Sequence, residues 1–155
     1  MNIKDILSEG SILVDFNASS KKHVLDALSK LAQREIEVSH KIILDNLIKR
    51  EKLGSTAVGN GIAIPHTTES SLDKPKGFLA ILSNGLEFNA NDDQPVDIIF
   101  LLLAPSNNGS EHLQALALIS RLLKNEELIT KLRGCKTKQS AIAVITKPFK
   151  MKLLK

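Results

Sequence analysis

Aromatic residues are scarce in this chain: its 155 residues include five phenylalanines but no tryptophan or tyrosine. Proteins that bind single-stranded nucleic acids rely on aromatic side chains on which the bases stack. The composition therefore argues against that class of function, and we expect no nucleic-acid partner. The hydrophobic core has to be built mainly from leucine, isoleucine, valine and alanine.

Cysteines and long apolar runs are also nearly absent. The single cysteine, Cys135, excludes an internal disulfide, which fits a reducing compartment. The longest apolar run, residues 98–104, is far shorter than the ~18 residues that a membrane-spanning helix needs. No basic-then-apolar signal peptide opens the sequence. We therefore predict a cytoplasmic protein that does not insert into a membrane.

Acidic residues are missing from the C-terminal part of the chain. No aspartate or glutamate follows Glu127, although lysines and arginines continue to the last residue. A basic segment can contact a nucleic acid or a membrane surface, but a solvated helix face and a frayed terminus are the simpler explanation. We interpret residues 1–148 as one domain and residues 149–155 as a basic C-terminal tail.

Hydrophobic periodicity predicts strands that alternate with helices. Apolar runs predict strands at residues 12–16, 61–64, 77–83 and 96–103, the last of them apolar on both faces like a central strand. Helical spacing predicts helices over residues 21–36, 40–52, 126–133 and 137–147, and one that Ser110 caps and that ends at Lys124. The predicted fold class is α/β, a single layered domain with a mixed β-sheet flanked by α-helices.

Two of the four histidines have surroundings that are typical of a reactive site. His23 and His40 lie among charged and polar residues of predicted helices, where a structural role is the simpler interpretation. His66 follows an apolar strand and Pro65, whose ring fixes the backbone just before it. His112 lies at the start of a predicted helix, where backbone N–H groups and the helix dipole favour an anion.

A phosphoryl acceptor needs three things that this sequence can supply. It needs a neutral imidazole, a tautomer set by a hydrogen bond to the other ring nitrogen, and donors around the phosphoryl oxygens. Gly59 and Gly61 are expected to let a phosphate and a docking protein approach His66 closely. Candidate donors near His66 in the sequence are Arg50, Ser55, Thr56, Thr67 and Thr68. Composition alone does not single out phosphate.

Two other kinds of site have weaker support. His66 and His112 could be two zinc ligands, but no Cys, Asp or Glu near them has the spacing of a metal motif. The run Gly59-Asn60-Gly61 is a fragment of a nucleotide-binding loop, but Ile64 occupies the place of the third glycine. We therefore expect neither a metal ion nor another cofactor.

The stretch REKLGSTAVGNGIAIPH, which ends at His66, resembles the active-site signature of enzyme IIA components of the bacterial phosphotransferase system, mannitol–fructose class. In that family a Gly-x-x-Ile-Ala-Ile-Pro-His run carries the phosphorylated histidine, and Glu51 and Val58 also fit the pattern. The run EHLQ around His112 resembles the start of the helix that bears the second active-site histidine. The run Pro95-Val96-Asp97, at the start of a predicted strand, is also similar to the family. The resemblance therefore extends over nearly the whole chain, with the motifs in the same order and at the same spacing.

The resemblance implies roles for individual residues. His66, through its Nε2 atom, would be the nucleophile that accepts the phosphoryl group, and His112 would orient or stabilise it. Arg50 would help to hold the phosphoryl group. Thr67 departs from the family pattern, which has Gly, Ala or Cys after the histidine. The further phosphate-binding candidates are Ser55, Thr56 and Thr67.

The resemblance also implies partners. The run GNG before IAIPH is similar to the sequences of the nitrogen-regulatory branch of the family. Members of that branch accept a phosphoryl group from a histidine phosphocarrier protein (HPr- or NPr-like) and regulate other proteins. The implied function is a phosphotransferase with a phosphohistidine intermediate, whose regulated targets the sequence does not identify. Two alternatives stay open: a sugar-specific enzyme IIA that passes phosphate to an enzyme IIB, and a regulatory binding module that no longer accepts phosphate.

Overall fold

The computed structural model describes residues 1–106 and 109–147. A turn of 3-10 helix, Glu9–Ser11, precedes the first strand. The helices are α1 (Ile3–Ile6), α2 (Lys21–Ile36), α3 (His40–Lys52), α4 (Gly109–Leu123), α5 (Glu126–Arg133) and α6 (Lys138–Thr146). The strands are β1 (Ile12–Phe16), β2 (Ala57–Gly59), β3 (Ile62–Ala63), β4 (His66–Thr68), β5 (Lys76–Leu86) and β6 (Val96–Ala104).

These strands form one mixed sheet in the order β1–β5–β6–β3–β2, and β4 also pairs with β6. Strand β6 is antiparallel to β5 and parallel to β3 and β4. Its register is the same against both short strands, since Ala63 pairs with Ile99 and His66 pairs with Leu102. Strands β3 and β4 therefore lie on one line, interrupted by two residues that end in Pro65.

Helices cover both faces of the sheet. Successive residues of β6 point to opposite faces, as in any strand. Ile98 and Phe100 belong to the core that packs against α1, α4, α5 and α6, whereas Ile99 and Leu101 belong to the core that packs against α2 and α3. Strand β6 is almost wholly buried, as its apolar sequence predicts. The predicted α/β class, with a mixed sheet flanked by helices in one domain, is confirmed.

Helix caps explain where several helices begin. The side chain of Asn125 accepts a hydrogen bond from the N–H of Leu128 at 3.0 Å, so α5 begins where the sequence predicted. Thr137 caps α6 in the same way. The predicted N-cap at Ser110 is wrong, because α4 already begins at Gly109 and Ser110 lies in its first turn.

The short elements α1, β2 and β4 were not predicted, nor was the 3-10 turn Glu9–Ser11. Each has only three or four residues, which is too short for a hydrophobic period to be recognised. The predicted tail, residues 149–155, and the last residue of the predicted domain lie outside the described residues. Within the ranges that the structure describes, no helix is long and apolar enough to cross a membrane.

Candidate functional site

His66 and His112 lie together near the end of β6 that leads towards α4. Strand β4 places His66 beside Leu102 of β6, and the first turns of α4 carry His112. The two ring centroids are 5.6 Å apart and the ring planes meet at 70°. The structure thus brings together the two histidines that the sequence singled out, and we call this pair the histidine site. In the described part of the chain, no three His, Cys, Asp or Glu side chains are grouped to hold a metal ion.

The backbone around His66 sets the tautomer of its ring. His66 is the first residue of β4 rather than a residue beyond a strand, and its Nδ1 lies 2.8 Å from the carbonyl oxygen of Ile64. A carbonyl oxygen only accepts, so Nδ1 carries the proton and donates it. In the neutral ring the lone pair then lies on Nε2. Pro65 fixes the chain between them, and its own carbonyl accepts from the N–H of Leu102 at 2.9 Å.

His112 contributes a polar atom that lacks a partner. Its Nε2 is buried and makes no hydrogen bond to any residue that the structure describes. Burial lowers the pKa of His112 below its ordinary value, and charge repulsion from His66 lowers this pKa further. The neutral form of His112 is therefore favoured. Most buried polar atoms in proteins have a partner, so an oxygen of a bound group could supply the missing one.

Arg50 lies in the last turn of α3, and this helix packs against β4, the strand of His66. Its Nη1 donates a hydrogen bond to the carbonyl of Gly54 at 2.8 Å, and this bond anchors the guanidinium at the loop after α3. A guanidinium has five N–H donors in a planar fork. Arg50 therefore keeps donors for an anion while it holds the loop.

Ser55 and Thr56 use their hydroxyl donors inside the protein. The hydroxyl of Ser55 donates to the carbonyl of Phe88 at 2.6 Å. The hydroxyl of Thr56, a residue that is only 4% exposed, donates to the carboxylate of Glu51. Each hydroxyl has one donor, so donation to a phosphate requires that the present bond be given up.

Thr67 follows His66 in β4 and therefore points to the opposite face of the sheet. Thr67 pairs with Leu103, which belongs to the core beneath α2 and α3, whereas His66 pairs with Leu102 of the other core. The hydroxyl of Thr67 thus lies on the side of α3 and Arg50. Its predicted contact with a phosphate on His66 stays a prediction.

Gly59 is the last residue of β2, and Gly61 lies in the turn that leads from it to β3. Their φ angles are +97° and +82°, which glycine adopts without strain. A side chain on Gly61 would meet the guanidinium of Arg133 at 2.6 Å. His66 lies four residue steps beyond Ile62 along the interrupted strand, or about 13 Å at ~3.3 Å per step. These glycines lie at the far end of β3 from His66, so direct contact with a phosphate on His66 has no support, and the expectation that they let a docking protein approach stays a prediction.

Sequence reasoning missed the polar groups around this turn, which we call the Arg133 cluster. Arg133 donates to both carboxylate oxygens of Asp97, at 2.9 and 3.0 Å, and to the carbonyl of Asn60 at 3.0 Å. Asp92 accepts from the N–H groups of Asn60 and Gln94, and these bonds lower its pKa. The cluster lines an open cleft of about 1300 Å³. No local spacing indicates it, because Asp97 and Arg133 come from distant parts of the chain.

Known proteins resemble the chain over almost its whole length. The family model described as "Phosphoenolpyruvate-dependent sugar phosphotransferase system, EIIA 2" matches residues 5–147. Nitrogen regulatory proteins of Bradyrhizobium diazoefficiens and Pseudomonas aeruginosa are 40% and 37% identical, over 96% and 94% of this chain and 97% and 95% of their own lengths. The crystal structure of the nitrogen regulatory protein IIA-Ntr from Neisseria meningitidis matches with a TM-score of 0.86 at 32% identity, over 93% of this chain and 99% of that one.

Proposed function

Because the chain belongs to the EIIA 2 family of the phosphoenolpyruvate-dependent sugar phosphotransferase system, we propose that Nε2 of His66 accepts a phosphoryl group. The family resemblance of the sequence is confirmed, and relatives that match over nearly their full length are nitrogen regulatory proteins. The protein is thus a phosphocarrier of this system with a nitrogen-regulatory role. The proposed location is the cytoplasm, with which the free and buried Cys135 is compatible.

The main support for His66 is the hydrogen bond from its Nδ1 to the carbonyl of Ile64. This bond keeps the proton on Nδ1 and leaves the lone pair on Nε2, where it can attack phosphorus. The same bond also restrains rotation of the ring. The nucleophile therefore needs neither a separate base nor a change of tautomer before it reacts.

The proposed donor is the phosphohistidine of a histidine phosphocarrier protein (HPr- or NPr-like). The lone pair of Nε2 forms a new N–P bond in line with the N–P bond that breaks, and the electron pair of the broken bond returns to the donor's imidazole. One N–P bond replaces another, so the transfer is close to isoenergetic and reversible. Leu113 follows His112 and is 69% exposed, which provides apolar surface for a transient contact with the donor.

The remaining candidates would stabilise the transferred group. Nε2 of His112 is buried without a partner on a ring that lies next to the ring of His66, so it could bind a phosphoryl oxygen, and Arg50 keeps guanidinium donors on a helix that packs against β4. Positioned donors of this kind are the largest contribution to phosphoryl transfer. Weaker contributions are assigned to Ser55 and Thr56, because their hydroxyls are engaged. Thr67 is also ranked lower: like Arg50 it lies on the α3 side of the sheet, but its short side chain would not reach round β4 to His66 as the long side chain of Arg50 would.

Intact-mass measurement tests the acceptor directly. The protein is incubated with phosphoenolpyruvate, enzyme I and the histidine phosphocarrier protein, and we expect the gain of one acid-labile phosphate. His66→Ala should abolish the gain. His40→Ala is the matched control, because His40 binds Gln33 on a helix outside the histidine site and should not affect it. A phosphate that persists in His66→Ala would exclude His66 as the acceptor.

The same experiment separates the alternatives. A binding module that no longer accepts phosphate would gain no mass even as the wild-type protein. A sugar-specific enzyme IIA would gain the phosphate and pass it to an enzyme IIB when that domain is added. A nitrogen-regulatory phosphocarrier keeps the phosphate under those conditions and changes its affinity for a regulated protein.

A further inference from the structure

Glu51 is an acidic residue in an unfavourable place. It lies in the last turn of α3, where the helix dipole disfavours negative charge, and its side chain is only 7% exposed. A buried carboxylate is costly unless it is paired and hydrogen-bonded. Lys21 of α2 supplies the pair at 2.9 Å, and Thr56 supplies two donors, its hydroxyl and its N–H at 3.2 Å. The buried position of Glu51 therefore has compensating contacts.

The backbone N–H of Thr56 would normally donate a hydrogen bond within the β-sheet, but it donates to Glu51 instead. Strands β2 and β3 are antiparallel with Ala57 opposite Ala63, so Thr56 and Ile64 lie opposite each other one step beyond. The two residues of a hydrogen-bonded antiparallel pair normally exchange two bonds. Here the N–H of Ile64 donates to the carbonyl of Thr56 at 2.9 Å. The reciprocal N–H of Thr56 goes to Glu51 instead.

Diversion of that N–H leaves the carbonyl of Ile64 without its sheet partner. This carbonyl is the one that accepts Nδ1–H of His66 at 2.8 Å. The Nδ1–H of His66 thus donates to the Ile64 carbonyl in place of the backbone N–H of Thr56, which would donate there in a regular antiparallel pair. The segment is otherwise fixed, by the Thr56–Ile64 bond on one side and by the Pro65–Leu102 bond on the other.

We propose that Glu51 is a positioning residue: by binding the N–H of Thr56, its carboxylate reserves the Ile64 carbonyl for His66 and so sets the tautomer of His66. Glu51 does not touch the reacting atoms. The consequence for phosphoryl transfer rests on the proposed function, whereas the effect on the tautomer does not. A hydrogen-bonding partner of one ring nitrogen decides which nitrogen carries the proton.

The primary test uses NMR on the unphosphorylated protein labelled with 15N and 13C. In the wild type, the 15N shifts of His66 should show the Nδ1–H tautomer, and no scalar coupling should connect the Thr56 nitrogen to the Ile64 carbonyl carbon. In Glu51→Ala that coupling should appear, and His66 should lose its tautomer preference. A folded Glu51→Ala protein with wild-type His66 shifts would overturn the proposal.

Two variants keep the test decisive if Glu51→Ala does not fold. Glu51→Gln loses the charge paired with Lys21 and has one acceptor oxygen for the two donors of Thr56, so its His66 shifts should move measurably away from the wild-type values. Asp97→Asn is the matched control, since it also removes a carboxylate charge from an ion pair, at the Arg133 cluster. It should leave the His66 shifts unchanged. Equal changes of the shifts in Asp97→Asn and Glu51→Gln would show a non-specific loss of stability and would contradict the proposal.

Phosphorylation kinetics give the second readout. Loss of an outer residue that orients a metal-binding histidine typically costs about 10- to 100-fold in affinity or activity, and we expect Glu51→Ala to slow transfer to His66 by a similar factor. If the wild-type protein gains no phosphate at all, the proposed function fails while the NMR result still decides the role of Glu51. If the tautomer changes but the rate does not, Glu51 has no positioning role in the transfer.

Discussion

The two ends of strand β6 carry polar groups that differ in how completely they satisfy one another. In the Arg133 cluster, Arg133 donates to both oxygens of Asp97 and to a backbone carbonyl. In the histidine site, Nε2 of His112 has no partner among the described residues. Groups that already bind each other add to stability, whereas a buried group without a partner costs stability and can bind a ligand. The difference distinguishes a structural cluster from a candidate site.

After His66→Ala, which should abolish the phosphate gain, His112→Ala should have the largest effect at the histidine site. Removal of one positioned donor from the proposed site should slow the transfer about 100- to 1000-fold, which corresponds to an increase of roughly 2.7 to 4 kcal/mol in the activation barrier. The free energy of unfolding should change little, because the lost Nε2 has no protein partner. Rapid-quench phosphorylation and urea unfolding measure the two quantities. Transfer at the full rate would remove His112 from the site.

Gly61→Ala should have the largest effect on stability at the opposite end. The φ of +82° is unfavourable for alanine, and the new Cβ would displace the guanidinium of Arg133. We expect a loss of about 1 to 3 kcal/mol in the free energy of unfolding, with the transfer rate of the folded protein unchanged. Gly134→Ala is the control, since its φ of −86° suits alanine. A slower transfer in Gly61→Ala would show that the two ends are coupled.

The pKa of His112 should respond to the state of His66. In the unphosphorylated protein burial and the charge of His66 lower this pKa. A phosphoryl group on His66 adds negative charge nearby, which favours the protonated form and should raise the pKa of His112. NMR titration of both forms measures the direction. An unchanged pKa would mean that the phosphoryl group does not lie next to His112.

The lowered pKa of His112 also sets a pH dependence of stability. Folded His112 binds a proton less readily than the unfolded chain, so its contribution is fully present above the ordinary histidine pKa of 6.5. It is lost as the pH falls below that value and through the lower pKa that His112 has in the folded protein. Urea unfolding of wild type and His112→Ala between pH 5 and 8 tests this, and the wild type should lose more stability on acidification.

Asp97→Asn should have the smallest effect. The ion pair is partly exposed, with Arg133 41% and Asp97 28% accessible, and such pairs contribute up to about 1 kcal/mol. The free energy of unfolding should fall by less than that, and phosphorylation should proceed at the wild-type rate. Thermal unfolding and the intact-mass assay check both statements. A slower transfer in this variant would contradict the separation of the two ends.

The sequence predicted those parts of the fold that have a local signal. Strand β6 was recognised because it is apolar on both faces, and α5 because Asn125 caps it. Strand β4 has the polar sequence His-Thr-Thr and forms because it pairs with β6, which is a long-range effect. Its residues therefore could not be assigned to a strand from local pattern alone.

The candidate site shows the same limit. His66 and His112 were paired through a family resemblance, whereas Arg133 and Asp97 meet only through the fold. Glu51 fitted the family pattern, but its bond to the N–H of Thr56 depends on how the loop after α3 meets β3. Residue types and spacing indicate which groups are available, and the backbone decides which of their hydrogen bonds are used.

The common register of β3 and β4 along β6 has a consequence for how the phosphorylated state is recognised. Leu102, the partner of His66, lies five residue steps beyond Asp97 along β6, or about 17 Å. This exceeds two screening lengths in a solution of physiological ionic strength, where one is ~8 Å. The potential of a phosphoryl group on His66 is thus largely screened, through solvent, before it reaches Arg133. A regulated protein that distinguishes the two states by charge has to contact the end of the sheet where α4 begins.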